Sequence, residues 1–73
     1  MRGSTYVLLQ SKKSESASVI RLVTGLPGVQ QVNRLRGPYD LVAQFGPEAH
    51  ETVTGLSDLP GVDRVVICAP HIG

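Results

Sequence analysis

The residue types that most often carry catalysis or bind metals are few in this sequence, and none stands in a catalytic or metal-binding pattern. Cys68 is the only cysteine, and His50 and His71 lack the spacing that metal ligands use. No serine has the sharp strand-to-helix context of a catalytic nucleophile. The eight glycines are spread over predicted turns and helix ends, so none of them builds a loop for phosphate. The sequence therefore predicts no catalytic residue, no metal ligand and no cofactor.

One short segment, Gly37-Pro38-Tyr39-Asp40, combines residue types suited to a small ligand. Gly37 lets a ligand approach the backbone, and Tyr39 offers an apolar ring with a hydroxyl group. Asp40 opens an apolar strand, where a carboxylate needs a partner such as a backbone amide, an arginine or the ammonium group of an amino acid. Simpler roles stay open for all four: Gly37 and Pro38 as a turn, Tyr39 as core packing and Asp40 as the cap of that turn.

The elements that would position this segment follow from hydrophobic spacing. Four apolar runs predict strands, and two amphipathic stretches predict helices. The strands are expected over residues 5–10, 29–36, 39–45 and 62–69, with helices over 15–24 and from Pro47 onward. The expected buried stripes are Ala17, Ile20, Val23 and Leu26 in the first helix, and Ala49, Val53 and Leu56 in the second. Gly25 and Pro27 end the first helix.

An internal repeat indicates how these elements assemble. Leu26-Pro-Gly-Val29 recurs 33 residues later as Leu59-Pro-Gly-Val62, and each copy follows a helix and opens a strand. Two strand–helix–strand units with right-handed crossovers predict an α+β, ferredoxin-like βαββαβ fold. We expect a four-stranded antiparallel sheet with both helices on one face, of the dimeric α/β-barrel type. The whole chain, residues 1–73, is then one domain, in which residues 1–4 are a candidate remnant of foreign sequence.

The predicted strands are apolar on both faces, although the helices cover only one. Three or four aliphatic side chains left in water would forgo roughly 1.5–3 kcal/mol each, so a second copy is expected to cover them. The residues assigned to this dimer interface are Tyr6, Leu8, Leu41, Ala43, Val66 and Cys68. A chain of this size has a small core, and its lone cysteine cannot form an internal disulfide. We therefore expect association between copies of the chain to stabilise the fold, and a marginally stable monomer is the alternative.

Charge and composition argue against several partners. The net charge is +1, and the three aromatic residues are too few for a platform on which bases stack. No apolar run approaches the length that spans a membrane, and no signal peptide follows Met1. Direct binding of nucleic acid or membrane is therefore not expected. A single unpaired cysteine is typical of a reducing compartment, so the cytoplasm is the expected location.

Four motifs together carry a resemblance to a known family. They are the strand-opening run Tyr6–Leu9, the two Leu-Pro-Gly-Val copies and the Gly-x-Tyr-Asp of Gly37, Tyr39 and Asp40. In this order and spacing, from about Thr5 to Ile72, the chain resembles the ligand-binding domain of the Lrp/AsnC family, the regulation of amino-acid metabolism (RAM) domain. Because no helix-turn-helix segment is present, the resemblance implies a stand-alone form of that domain, with a fragment of a longer regulator as the alternative.

The resemblance also implies partners and a site. Domains of this family pair through their sheet faces and assemble further into rings of dimers, and a full-length Lrp/AsnC regulator is an expected partner. Small effectors, typically amino acids, bind between dimers near the Gly-x-Tyr-Asp turn, here Gly37 to Asp40. The span from Asp40 to Leu59 is about one helical turn shorter than in the family, which puts ring assembly and the completeness of the effector site in question.

The expected function is thus a non-catalytic, oligomeric domain that binds an amino acid or a similar effector and takes part in transcriptional or metabolic regulation. Three alternatives stay open. The first is an amino-acid-binding module of the ACT type, which has a similar topology. The second is a small dimeric α/β-barrel enzyme, and the third is a structural oligomer without a ligand.

Overall fold

The computed structural model describes residues 4–68, which form four strands and two helices in the predicted order. The elements are β1 (Thr5–Ser11), α1 (Ser16–Thr24), β2 (Val29–Arg34), β3 (Leu41–Phe45), α2 (His50–Thr54), a 3-10 turn (Leu56–Asp58) and β4 (Val62–Cys68). Strand β2 ends two residues before its predicted end, and β3 begins two residues after its predicted start. Residue 69 of the fourth predicted strand and the first three residues lie outside the described part of the chain. No helix within it is long and apolar enough to cross a bilayer.

The sheet is antiparallel throughout, with the strand order β2-β3-β1-β4. The two central strands, β1 and β3, come from different halves of the repeat. Leu9 lies opposite Leu41, while Leu8 lies between Val42 on one side and Val66 on the other. This arrangement confirms the predicted α+β, ferredoxin-like fold.

Both helices pack on the same face of the sheet. Strand side chains alternate between faces, and Val7 and Leu9 of β1 point into the core. The fully buried side chains of this core are Val7, Leu9, Val19, Val23, Leu41, Ala43, Phe45 and Leu56. The stripe predicted for the second helix, Ala49, Val53 and Leu56, is buried as expected, although Ala49 precedes α2 and Leu56 lies in the 3-10 turn that follows it.

The buried stripe of α1 differs from the prediction at its first residue. Ala17 is exposed, and Val19 is buried in its place. Val19, Val23 and Leu26 follow the i, i+4, i+7 spacing that keeps side chains on one side of a helix with 3.6 residues per turn. Repeated steps of three residues rotate around the axis instead, so the stripe that was inferred from Ala17 drifts away from the core.

Two residues assigned to the dimer interface lie on the wrong face of the sheet for that role. Leu41 and Ala43 are completely buried beneath the helices. The register explains the correction: Leu41 pairs with Leu9 and Ala43 pairs with Val7, so both share the core face. Strand β3 is apolar on both sides at its start, and the sequence alone did not fix which side the helices would cover.

Candidate functional site

The segment Gly37 to Asp40 forms the connection between β2 and β3, at one end of the sheet. The backbone N–H of Leu35 donates to the carbonyl of Asp40 at 2.7 Å, which closes the connection. Gly37 has a φ of 120°, a conformation that side chains other than hydrogen rarely allow. Gly37 and Pro38 are exposed, whereas Tyr39 and Asp40 are partly buried. The structure thus brings the four predicted site residues together in a turn that is open to solvent.

Asp40 has a partner within the chain. The backbone N–H of Ser11 donates to Asp40 Oδ2 at 2.6 Å, and the Ser11 hydroxyl donates to the same oxygen. The hydroxyl oxygens of Ser11 and Ser16 lie 3.1 Å apart, so the contact extends to the start of α1. The Asp40 N–H donates in turn to the carbonyl of Leu9 at 2.8 Å. Asp40 therefore ties the start of β3 to the end of β1, as a cap of the turn would.

A local irregularity in β1 makes Ser11 available for this contact. The register between β1 and β4 shifts between Gln10 and Ser11, as it does at a bulge. Sequence analysis missed Ser11, which is 29 residues from Asp40. A serine at the end of a strand carries no local signal for a partner that only the pairing of β1 with β3 brings close.

These hydrogen bonds set the charge state of the site. The Ser11 hydroxyl and then the Ser11 N–H hold the pKa of the Asp40 carboxyl below its usual range, because both stabilise the ionised form. Partial burial acts in the opposite direction, and the positive charge of Arg34 lowers the pKa slightly further. Asp40 is consequently a carboxylate at neutral pH, with the second oxygen of that carboxylate outside the Ser11 contact.

The sheet face away from the helices carries a second candidate surface. Four of the predicted interface residues lie there, together with one that sequence analysis missed, Val42. We call this set the open-face patch: Tyr6, Leu8, Val42, Val66 and Cys68. Its members are neighbours, because Leu8 pairs with Val42 and Val66, and Tyr6 pairs with Cys68. Tyr6 is 48% exposed, so a large aromatic side chain on this face is in contact with water in the single chain.

One side of the open-face patch is bordered by neutral amides. Gln31, Asn33 and Gln44 line a small recess of about 40 Å³ together with Tyr6 and Val42. Gln31 lies opposite Gln44, and Asn33 lies opposite Val42. The open face therefore changes from the apolar patch over β1 and β4, which ends at the Gln10–Arg64 pair, to polar and uncharged over β2.

His50 and Cys68 do not join in a common site. His50 is exposed at the start of α2, on the helix side of the sheet, while Cys68 belongs to the open-face patch. His71 lies outside the described residues. Within residues 4–68, no three side chains of His, Cys, Asp or Glu come together as a metal-binding group would.

No family model matches the chain, and no curated protein matches it at a significant level. Solved structures do match. TTHA0845 from Thermus thermophilus has a TM-score of 0.81 and 27% sequence identity, over 96% of this chain and 94% of that one. FFRP-DM1 has a TM-score of 0.79 at 12% identity, over 93% of this chain and 97% of that one.

A longer protein contains the same fold as one part. MtbAldR has a TM-score of 0.74 at 13% identity, over 96% of this chain but only 53% of its own length. FFRP-DM1 is an Lrp/AsnC-type regulator, and MtbAldR belongs to the Lrp family. The chain shares the ferredoxin-like fold of these two proteins. The resemblance expected from the Leu-Pro-Gly-Val and Gly-x-Tyr-Asp motifs is confirmed at the level of fold.

Proposed function

We propose that this chain is a self-associating regulatory domain that binds a small effector, with an amino acid as the expected class, and that it is not an enzyme. The observation that carries the proposal is the open-face patch on a fold shared with Lrp/AsnC-type regulators. The patch supports association, and the turn at Gly37 to Asp40 supports effector binding. A ring of such dimers and joint assembly with a full-length Lrp/AsnC regulator belong to the same proposal.

A second copy of the chain is the occupant proposed for the open-face patch. The patch itself contains no charged residue, and its border over β2 is made of neutral amides; the charged neighbour on this face is Arg64, which pairs with Gln10 beyond Leu8 and Val66. Two copies related by a two-fold axis bury the same surface on both partners. With a net charge of +1 on each copy, long-range repulsion between them is small.

The turn offers an effector the Gly37 backbone, the Tyr39 ring and hydroxyl, and one free oxygen of Asp40. The two oxygens of Asp40 then have different roles: Oδ2 accepts hydrogen bonds from Ser11, and the other oxygen is available for a cationic group. An amino-acid ammonium group suits a carboxylate that stays ionised at neutral pH.

A thermal-shift screen across the twenty amino acids tests the effector. A ligand at one hundred times its dissociation constant stabilises the native state by about 2.7 kcal/mol. For a domain of this size, that corresponds to a rise in Tm of roughly 10–20 °C. The proposal expects one amino acid, or a few similar ones, to give such a rise. A screen without any response would favour a structural oligomer.

Two variants separate the ligand contact from the structural role of Asp40. Asp40→Asn keeps an oxygen that accepts from the Ser11 N–H but removes the charge, so it should abolish the response to the effector. Ser11→Ala loses the hydroxyl contact but keeps the carboxylate, so it should lower Tm and retain the response. A response that survives Asp40→Asn at full size would show that the effector binds elsewhere.

A further inference from the structure

The two Leu-Pro-Gly-Val loops make equivalent contacts with the start of the helix in the other half of the chain. The Gly28 carbonyl accepts from the Gly46 N–H at 2.9 Å, and the Gly61 carbonyl accepts from the Lys12 N–H at 2.7 Å. Both loop glycines have a positive φ, 85° and 86°. The repeat seen in the sequence is therefore also a repeat of contacts, with each loop glycine facing the residue before a helix.

The residues that face these glycines differ in size. Glu15 precedes α1 and Ala49 precedes α2, and each accepts a backbone hydrogen bond at 2.9 Å from the valine four residues on. A methyl group added at Gly61 would meet Glu15 Oε1 at 3.0 Å and Glu15 Cβ at 3.2 Å, so the glutamate side chain lies over that loop. At Gly28, the added methyl would meet only Ala49, at 2.5 Å from its Cβ.

An open cleft lies beside Gly28, where the alanine is too short to cover the loop as Glu15 covers Gly61. We call it the first-loop cleft; it has a volume of about 450 Å³, and its lining includes Gly28, Gln30, Gly46, Glu48, Ala49 and Thr52. Its volume falls within the range of small-molecule sites. It lies by the end of β3 at Phe45, whereas the Gly37–Asp40 turn precedes the start of β3 at Leu41. The two sites are therefore at opposite ends of the sheet.

The lining of the cleft selects for a particular ligand chemistry. Among residues 4–68, Glu48 is the one charged residue in its lining, and it is acidic. Gln30 Oε1 accepts from the Ser4 hydroxyl at 3.0 Å, which holds the side chain so that its Nε2 approaches Gly46. The amide nitrogen of Gln30 and the hydroxyl of Thr52 can then bind a carbonyl or hydroxyl group, while Glu48 attracts a cation.

We propose that the first-loop cleft is a binding site for a small primary-ammonium compound that also carries a hydrogen-bond acceptor. The ammonium group pairs with Glu48, and the acceptor meets Gln30 and Thr52. This site is separate from the effector turn and does not depend on it. Because the ligand is small and the cleft is open, the expected dissociation constant is millimolar.

Amide chemical shifts of the full-length, ¹⁵N-labelled protein test the proposal with a matched pair of probes. L-Alaninamide carries the ammonium group and a carbonyl, whereas N-acetyl-L-alaninamide lacks the positive charge. L-Alaninamide should give saturable shifts centred on Gly28, Gly46 and Thr52, and the acetylated probe should not. Equal shifts from both probes, shifts centred on Gly37 and Asp40, or no saturable shift into the tens of millimolar would each overturn the proposal.

Variants of two lining residues identify the groups that bind the probe. Glu48→Gln should weaken L-alaninamide binding roughly threefold or more, as expected for loss of an exposed ion pair. Glu51→Gln is the matched control, because Glu51 is an exposed carboxylate of α2 that does not line the cleft. Thr52→Val keeps the shape and removes the hydroxyl, so it should also weaken binding. Unchanged binding in Glu48→Gln, or an equal loss in Glu51→Gln, would contradict the assignment.

Discussion

The two faces of the sheet have similar apolar residues but different surroundings. On β1, Val7 and Leu9 have no exposed surface, whereas Tyr6 and Leu8, their neighbours along the strand, lie on the face without helices. Both pairs occur in one run of apolar residues, and nothing in their side chains distinguishes the face that becomes the core. The difference comes from the two helices, which cover one face and leave the other free for association.

Because the two faces of β1 have these different surroundings, substitutions on one strand can distinguish effects on folding from effects on association. Substitutions on the core face should reduce the free energy of unfolding of the chain itself. Equivalent substitutions on the open face should mainly reduce the affinity between copies. Leu9 and Leu8 are adjacent leucines on opposite faces, so they give the same chemical change in the two environments.

Leu9→Ala should have the largest effect. Removing three carbon atoms from a completely buried leucine leaves a cavity and destabilises a core by roughly 2–5 kcal/mol. Urea unfolding monitored by circular dichroism should show a much lower midpoint, or a chain that is already unfolded in buffer. A loss below about 1 kcal/mol would mean that the helix-covered face is not the core.

Leu8→Ala should affect association more than folding. The dimer contains the substitution twice, so a loss of roughly 1 kcal/mol per copy weakens association about thirtyfold. Sedimentation velocity over a dilution series measures this change. Leu22→Ala is the matched control, because Leu22 is 41% exposed on α1, away from the open face. If Leu22→Ala weakened association as much as Leu8→Ala, the helices and not the open face would form the interface.

Asp40→Asn should have the smallest effect, about 1 kcal/mol after allowance for solvent screening of a partly exposed carboxylate. The folded-state pKa of Asp40 is lowered, so its contribution is complete above the unfolded value of about 3.9 and is lost as pH falls toward the folded value. Unfolding midpoints measured from pH 7 to pH 2 should therefore fall more steeply in the native protein than in Asp40→Asn. Parallel curves would show that the Ser11 contact contributes nothing.

Local sequence patterns predicted the order of the helices and strands. The features that these patterns did not predict depend on pairing between strands that are far apart in the sequence. The Leu-Pro-Gly-Val copies stop a helix and start a strand by short-range chemistry, so the sequence located them well. The face that Leu41 and Ala43 occupy depends on their pairing with Leu9 and Val7, more than thirty residues away. The apolar residues at the start of β3 do not alternate with polar ones, so no two-residue period indicates which face becomes the core.

In the candidate site too, local features were predictable from the sequence and long-range contacts were not. Gly37, Pro38, Tyr39 and Asp40 are consecutive, so their grouping in one turn was predictable. The contact of Asp40 with Ser11 was not, because it depends on the bulge in β1 and on the β1–β3 pairing. The first-loop cleft also escaped sequence analysis, because the 33-residue repeat aligns Glu15 with Glu48, and only the structure places Ala49 against Gly28 where Glu15 lies against Gly61.

The mass of the native protein in solution tests the central claim most directly. Equilibrium sedimentation from low to high micromolar concentration should show a dimer or a multiple of it, and Leu8→Ala should shift the distribution toward the monomer. A native protein that remains a monomer throughout this range, with Leu8→Ala indistinguishable from it, would show that the open-face patch does not pair with a second copy.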